Sequence, residues 1–179
     1  MTAVTRALDA GLPAVQLREK DLPGRPLLEL ADALRRATAR TGALFFVNDR
    51  VDVALAVGAD GVHLGEGSMP AEAVRGLVPP GTAIGVSTHA AGAVPAEADF
   101  AFFGPVWETP AKTGAQGVDR LRAAIAASPV PVLAIGGVDW KRAGEARAAG
   151  AAGVAVIRAI LSANDPALAT RELLAAVPD

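Results

Sequence analysis

The feature that most limits what this chain can fold into is a repeated junction. A helical segment stops at Ala-Gly or a close variant, and a short apolar run follows at once. The junction occurs as Leu8-Asp9-Ala10-Gly11 before Ala14-Val15-Gln16-Leu17, and as Ala56-Val57-Gly58-Ala59-Asp60-Gly61 before Val62-His63-Leu64. It recurs as Ala148-Ala149-Gly150-Ala151-Ala152-Gly153 before Val154-Ala155-Val156-Ile157. Glycine just past a helix end accepts the left-handed backbone that stops the helix. The run after it is too short for a helix and suits a buried parallel strand.

Seven such runs predict strands near residues 14–18, 43–47, 61–64, 82–87, 100–104, 131–136 and 153–157. Their starts are 18 to 31 residues apart, enough for a crossover helix each time. Helical patterns fill the intervals at 24–40, 50–58, 70–78, 90–97, 117–127, 139–149 and 164–176, with one more at 2–10. Alternation of this kind is α/β. Eight helices with seven strands point to a (βα)8 TIM barrel that lacks its first strand in this sequence. The alternative is an open doubly wound sheet, which needs a reversal of strand order.

The 179 residues suit one domain, 1–179, and 51% hydrophobic residues supply its core. A net charge of -2 argues against non-specific nucleic-acid binding and against a polybasic membrane anchor. There is no cysteine, so disulfides, thiolate catalysis and cysteine-bound zinc are excluded. No apolar run nears 18 residues and no signal peptide opens the sequence, so the expected location is the cytoplasm.

In a parallel barrel the site lies at the C-terminal strand ends, and the polar residues gather there. The first strand ends in Arg18-Glu19-Lys20 and the second in Asn48-Asp49-Arg50. The third carries His63 and runs into Gly65-Glu66-Gly67-Ser68; the fourth ends Ser87-Thr88-His89. The fifth feeds Gly104-Pro105-Val106-Trp107-Glu108-Thr109-Pro110-Ala111-Lys112-Thr113, a mix suited to a loop that holds an anionic ligand. The sixth ends in Gly136-Gly137, whose backbone N–H groups can cradle a phosphate near a helix N-terminus. Blander roles compete with these. Asn48-Asp49 also reads as a helix N-cap, Arg18 and Lys20 as partners of internal acids, Gly136-Gly137 as a tight turn, and His63 as a core histidine.

Seven motifs in order resemble the thiamine phosphate synthase and thiazole tautomerase superfamily. They are Gln16-Leu17-Arg18-Glu19-Lys20, the Asn48–Ala54 run, Gly61-Val62-His63-Leu64-Gly65, Gly85-Val86-Ser87-Thr88-His89, Gly104–Lys112, Ala134-Ile135-Gly136-Gly137-Val138 and Gly153–Ile157. The resemblance covers about residues 8 to 160. It implies a (βα)8 barrel, a missing first strand, and a homodimer acting in thiamine biosynthesis on a thiazole phosphate.

The resemblance offers two activities. The synthase joins a pyrimidine methyl diphosphate to a thiazole phosphate. It would give Arg18, Lys20, Asn48 and Lys112 the diphosphate, Asp49 a Mg2+ ion, and Ser87 a place near the pyrimidine. Synthases usually carry an aspartate where Ser68 stands and a hydroxyl where Ala111 stands. The tautomerase branch matches Gly67-Ser68, Glu108-Thr109-Pro110-Ala111-Lys112 and His89 more closely, and is the first expectation. There His89 transfers the proton, as a histidine near neutral pKa can. Arg18, Lys20 and Lys112 hold anionic groups, and Gly136, Gly137, Val156 and Ile157 bind phosphate through their backbone. That reaction needs no metal. A third expectation is a non-catalytic barrel that binds a thiazole or thiamine phosphate.

Overall fold

Seven parallel strands pair in the order in which the chain makes them. They are β1 (Ala14–Leu17), β2 (Leu44–Asn48), β3 (Gly61–Leu64), β4 (Ala83–Thr88), β5 (Phe100–Phe103), β6 (Val132–Ile135) and β7 (Gly153–Ala155). The computed structural model describes residues 1–90, 94–110 and 114–177. Each strand is hydrogen-bonded to its sequence neighbour, and β1 and β7 are the two edges. A doubly wound sheet needs a reversal of strand order. None occurs among the described strands, so the sheet is the curled, open form of a barrel.

The helices are α1 (Thr2–Asp9), α2 (Gly24–Thr41), α3 (Val51–Val57), α4 (Ala71–Arg75), α5 (Gly117–Ala127), α6 (Trp140–Ala148), α7 (Arg158–Leu161) and α8 (Pro166–Ala176). Gly11, Gly58 and Gly150 of the repeated junction have φ of 97°, 61° and 97°, the left-handed backbone expected of them. Two details differ from the sequence expectation. The helix expected at 90–97 is not formed over its described part, where Ala98 N–H closes a turn onto the Pro95 carbonyl. A four-residue helix, α7, follows β7 instead.

Side chains alternate along each strand, so the two faces have separate jobs. Phe45, Val47, Val62, Ile84 and Phe103 point outward and are buried beneath Leu27, Leu34, Val74 and Leu121 of the helices. Complete burial of a Phe or Leu stabilises by roughly 1.5–3 kcal/mol. The inner face is packed by size. The rings of Phe46 on β2 and Phe100 on β5 meet edge to face, with centroids 5.4 Å apart. Gly61 and Gly85, on the strands between, leave them room: a Cβ on Gly85 would sit 2.1 Å from the Phe100 ring.

The N-terminal strand ends are held by two similar clamps. The Asp60 carboxylate accepts from the buried Phe45 N–H at 2.7 Å and from Arg35 of α2 at 2.8 Å. The Asp99 carboxylate accepts from the Ile84 N–H at 2.7 Å and from Arg75 of α4 at 2.6 Å. Each aspartate thus ties a strand, its neighbour and a helix at the end away from the polar residues. Removing one orphans a buried backbone donor. Asp60→Ala is therefore expected to lower unfolding stability by about 1–3 kcal/mol in urea titrations. Asp119→Ala, on an exposed helix face, should change it by less than about 0.5 kcal/mol.

Candidate active site at the C-terminal strand ends

The same alternation that turns Phe46 and Phe100 inward brings polar groups to the inner face one step higher. On β2 it is Asn48, on β3 His63 and on β4 Ser87; the register pairs Asn48 with His63 and Ser87 with Phe102. On β1 it is Gln16, paired with Phe46, with Arg18 two residues beyond. The last inner residues of β5, β6 and β7 are apolar: Phe102, Ile135 and Ala155. The mouth of the curled sheet therefore has a polar wall and an apolar wall.

Asp49 follows Asn48 directly and has φ of 61°, the one non-glycine residue with positive φ among those described. That backbone costs a residue with a Cβ on the order of 1 kcal/mol and marks a constrained position. The Asp49 N–H donates to the His63 carbonyl at 3.0 Å. Its carboxylate accepts from Asn48 Nδ2 at 2.7 Å and from the Ser68 hydroxyl, and the Gly65 N–H lies 3.5 Å away. Ser68 Oγ also accepts from the Gly65 N–H at 2.6 Å. The N-cap of α3 is Arg50, with no side-chain cap bond, so Asn48 and Asp49 are not spent on capping. Arg50 is engaged by Asp52.

Arg18 and Lys20 are exposed at the end of β1, and neither makes an ion pair among the described residues. Arg6, Arg35, Arg40 and Arg75, by contrast, are each bridged to an aspartate. Two cations with no ion pair among the described residues, at the end of the sheet that also holds Asp49, suit an anionic ligand. Among the described residues no three acids or histidines cluster as a metal site. Asp49 alone fits the way a hard divalent ion is commonly held, by one or two carboxylates with the remaining oxygens from phosphates and water.

His63 is 4% exposed. Its Nδ1 lies 3.5 Å from Asn48 Oδ1 and its Nε2 3.4 Å from Ser87 Oγ. The Phe102 ring packs against it at 4.5 Å. Burial pushes its pKa down to about 4, the Val86 backbone and the Asp49 charge oppose that shift, and Arg18 adds to it. The imidazole is neutral at pH 7 and serves as a fixed hydrogen-bonding group.

The loop after β5 is seated on the end of β6. Val106 N–H donates to the Ile135 carbonyl at 2.9 Å and Trp107 N–H to the Gly136 carbonyl at 3.1 Å. Gly136 and Gly137 have φ of 96° and 68°. A Cβ on Gly136 would lie 2.6 Å from Pro105, and one on Gly137 2.7 Å from Trp107 and the Glu108 carbonyl. The pair is thus required for close packing as well as for its turn. Arg142 donates to the Gly137 carbonyl at 2.7 Å and lies over the Trp107 ring. Asp139 caps α6 by accepting from the Arg142 N–H, so the first turn of that helix is already served by a carboxylate. Val156 and Ile157 leave β7 beside Gly136, as the Ile135–Ala155 register requires; Ile157 is exposed. His89 is exposed at the end of β4, and its Nδ1 contacts the Gly104 carbonyl. Thr109 is half-buried in the β5 loop; Lys112 and Ala111 lie outside the described residues.

The sequence-predicted residues therefore fall into two groups. Arg18, Lys20, Asn48, Asp49 and Ser87 come from β1, β2 and β4. Gly136, Gly137, Val156 and Ile157 come from β6 and β7, with Thr109 in the loop against them. Sequence reasoning passed over Gln16, Arg142 and the organising part of Ser68. Counting back two residues from Arg18 would have placed Gln16 inward; nothing local signals Arg142.

The fold and the site define an α/β protein of the curled parallel-sheet type, with two cations at its strand ends that make no ion pair among the described residues. It belongs to the thiamine monophosphate synthase family, whose model matches residues 1–160. A Geobacter sulfurreducens protein, provisionally named a thiamine-phosphate synthase, is 52% identical over 99% of this chain and 87% of its own length. A Laribacter hongkongensis thiamine-phosphate synthase is 47% identical over 98% of this chain and 86% of its own. The solved thiamine phosphate pyrophosphorylase of Pyrococcus furiosus is 40% identical with a TM-score of 0.89, over 98% of this chain and 88% of that one. The first two bear the synthase name and the third that of a pyrophosphorylase, so the comparisons favour the synthase over the tautomerase expected first. No helix among the described residues is long and apolar enough to cross a membrane.

The neutral state of His63 has a thermodynamic consequence. Its pKa is about 4 in the folded chain against 6.5 for a free histidine. Between those values the unfolded chain binds a proton that the folded chain does not. The contribution to stability is full above about pH 6.5 and declines as pH falls toward 4, by about 3 kcal/mol in all. Urea unfolding between pH 4.5 and 7.5 checks this, with His63→Gln expected to flatten the slope.

Proposed function

We propose that this protein is a thiamine-phosphate synthase that couples a pyrimidine methyl diphosphate to a thiazole phosphate. The observation that carries the reading is the pair of cations Arg18 and Lys20, which make no ion pair among the described residues, at the same end of the sheet as Asn48, Asp49 and Ser87. A reaction that expels diphosphate needs positive charge where the leaving oxygen gains its negative charge. The names of the relatives support the same choice.

In this reading the C–O bond between the pyrimidine methylene and the diphosphate breaks, and diphosphate leaves with the electron pair. The lone pair of the thiazole nitrogen forms the new C–N bond. Arg18 and Lys20 bind the diphosphate and take up its growing charge, with Lys112 assigned to it from sequence. Asn48 donates to a diphosphate oxygen or holds Asp49. Asp49 would hold the Mg2+ ion, which when bound supplies charge neutralisation to the leaving group. Phe102 and the apolar wall exclude water from the reacting carbon. Gly136, Gly137, Val156 and Ile157 offer backbone N–H groups to the thiazole phosphate, with Thr109 beside them. His89 is left without a proton to carry in this reaction, and serves to hold the Gly104 turn.

The reading also includes an eighth strand between the edges β1 and β7 that closes the barrel, one domain over 1–179, a homodimer and a cytoplasmic location. Thiazole tautomerase is the weaker reading. It rests on Ser68, His89 and the Glu108–Lys112 loop, and the relatives named above do not carry that name.

Coupling of the two substrates with and without magnesium tests the proposal. Thiamine phosphate and diphosphate should form in equal amounts, and only with the metal. Arg18→Ala should lower kcat/KM roughly 10²-fold. Product binding without turnover at any magnesium concentration would instead support a non-catalytic barrel.

A further inference from the structure

The polar wall contains a chain of hydrogen bonds that has a direction. Asn48 Nδ2 donates to the Asp49 carboxylate at 2.7 Å, a short charge-assisted bond that fixes which way the amide points. Its Oδ1 must then face Nδ1 of His63, 3.5 Å away. An amide oxygen can only accept, so this contact is favourable when Nδ1 carries the proton and repulsive when it does not. A neutral imidazole protonated on Nδ1 has a bare Nε2. Nε2 faces Ser87 Oγ at 3.4 Å, and the only way for that pair to bond is for the serine hydroxyl to donate. Both contacts are at the long end of the range, as is common in sites that tighten when ligand binds.

We propose that His63 is a positioning residue: held as the Nδ1–H tautomer by Asn48 and Asp49, it turns the Ser87 proton inward and leaves the Ser87 oxygen facing the mouth as an acceptor. The chain runs Ser87 to His63 to Asn48 to Asp49, across three adjacent strands. It ends on the anion that anchors the constrained turn after β2. Phe102 packs at 4.5 Å on the imidazole and limits its rotation. The Val86 backbone also acts on the ring and favours its protonated form without bearing on which nitrogen holds the proton of the neutral form. Between the two tautomers Asn48 Oδ1, an acceptor only, selects Nδ1–H, and the Ser87 hydroxyl, which can donate or accept, completes it by donating to the bare Nε2.

The chemical consequence concerns the ligand. A serine committed as a donor to the protein has only lone pairs to offer outward. The ligand group that meets Ser87 must be a hydrogen-bond donor, N–H or O–H, and an acceptor-only oxygen there is repelled. This consequence rests on the synthase reading, in which the pyrimidine lies beside Ser87. The tautomer itself does not depend on that reading.

The first measurement is long-range 1H–15N NMR on the full chain labelled with 15N-histidine at pH 7.5, with His63→Gln assigning the His63 signals. Nδ1 should be protonated and Nε2 bare. Asn48→Ala should convert the single tautomer into a mixture. Ser87→Ala should shift the Nε2 frequency toward that of an unbonded acceptor while Nδ1 stays protonated. A proton on Nε2 would overturn the proposal.

The second measurement compares binding of an aminopyrimidine methyl diphosphate with that of the same compound carrying a methoxy group in place of the amine. Wild type should prefer the amine about tenfold. Ser87→Ala and His63→Leu should reduce the preference to about twofold or less, and His63→Gln, whose amide oxygen can accept from Ser87, should retain part of it. Equal binding of both compounds by wild type would overturn the assignment of Ser87 as an acceptor. Binding of neither compound would overturn the synthase reading, and the tautomer would still decide the role of His63.

Discussion

The site is organised by the turn at Asp49. Its left-handed backbone lets one residue do three things: bond to the His63 carbonyl, hold the Asn48 amide, and receive the Ser68 hydroxyl. Those partners come from β2, β3 and the loop after β3. The cost of the strained backbone, on the order of 1 kcal/mol, is offset by charge-assisted bonds, which are stronger than neutral ones. If Asp49 were extended, its carboxylate would leave the mouth and Asn48 would lose the bond that orients it.

The two ends of the sheet divide the remaining work. At the N-terminal ends, Asp60 and Asp99 clamp strands to helices and close off backbone donors. At the C-terminal ends, charge is left open: Arg18 and Lys20 have no acid to meet among the described residues. Between the ends, Phe46 and Phe100 fill the inside over Gly61 and Gly85, so the mouth has a solid floor. Stability is concentrated at one end and binding chemistry at the other, as parallel α/β sheets permit.

Much of this was legible in the residues. The glycine junctions fixed helix ends, and the apolar runs located all seven strands to within about two residues at each end. The one-sided placement of polar residues located the mouth. What was not legible has physical reasons. The segment 90–97 has alanine-rich helical composition, but Pro95 sits within it and the described part makes a turn. α7 has four residues, too few for a periodic signal. His63 reads as a buried core residue from sequence, and it is buried; its contacts with Asn48 and Ser87 emerge only from the strand register. The choice between synthase and tautomerase hung on Ser68 and Ala111. Ser68 is bonded to Asp49 itself, so a hydroxyl at that position supports the carboxylate without abolishing the site.

The central claim is that the polar wall formed by β1, β2 and β4 receives the diphosphate and its metal, while β6 and β7 receive a different phosphate. A crystal structure of the protein with magnesium, diphosphate and thiazole phosphate tests it most directly. The account predicts diphosphate against Arg18 and Lys20 with the ion on Asp49, and the thiazole phosphate against the backbone of Gly136, Gly137 and Ile157. Diphosphate seated at the glycine pair, with Arg18 and Lys20 left in solvent, would contradict it.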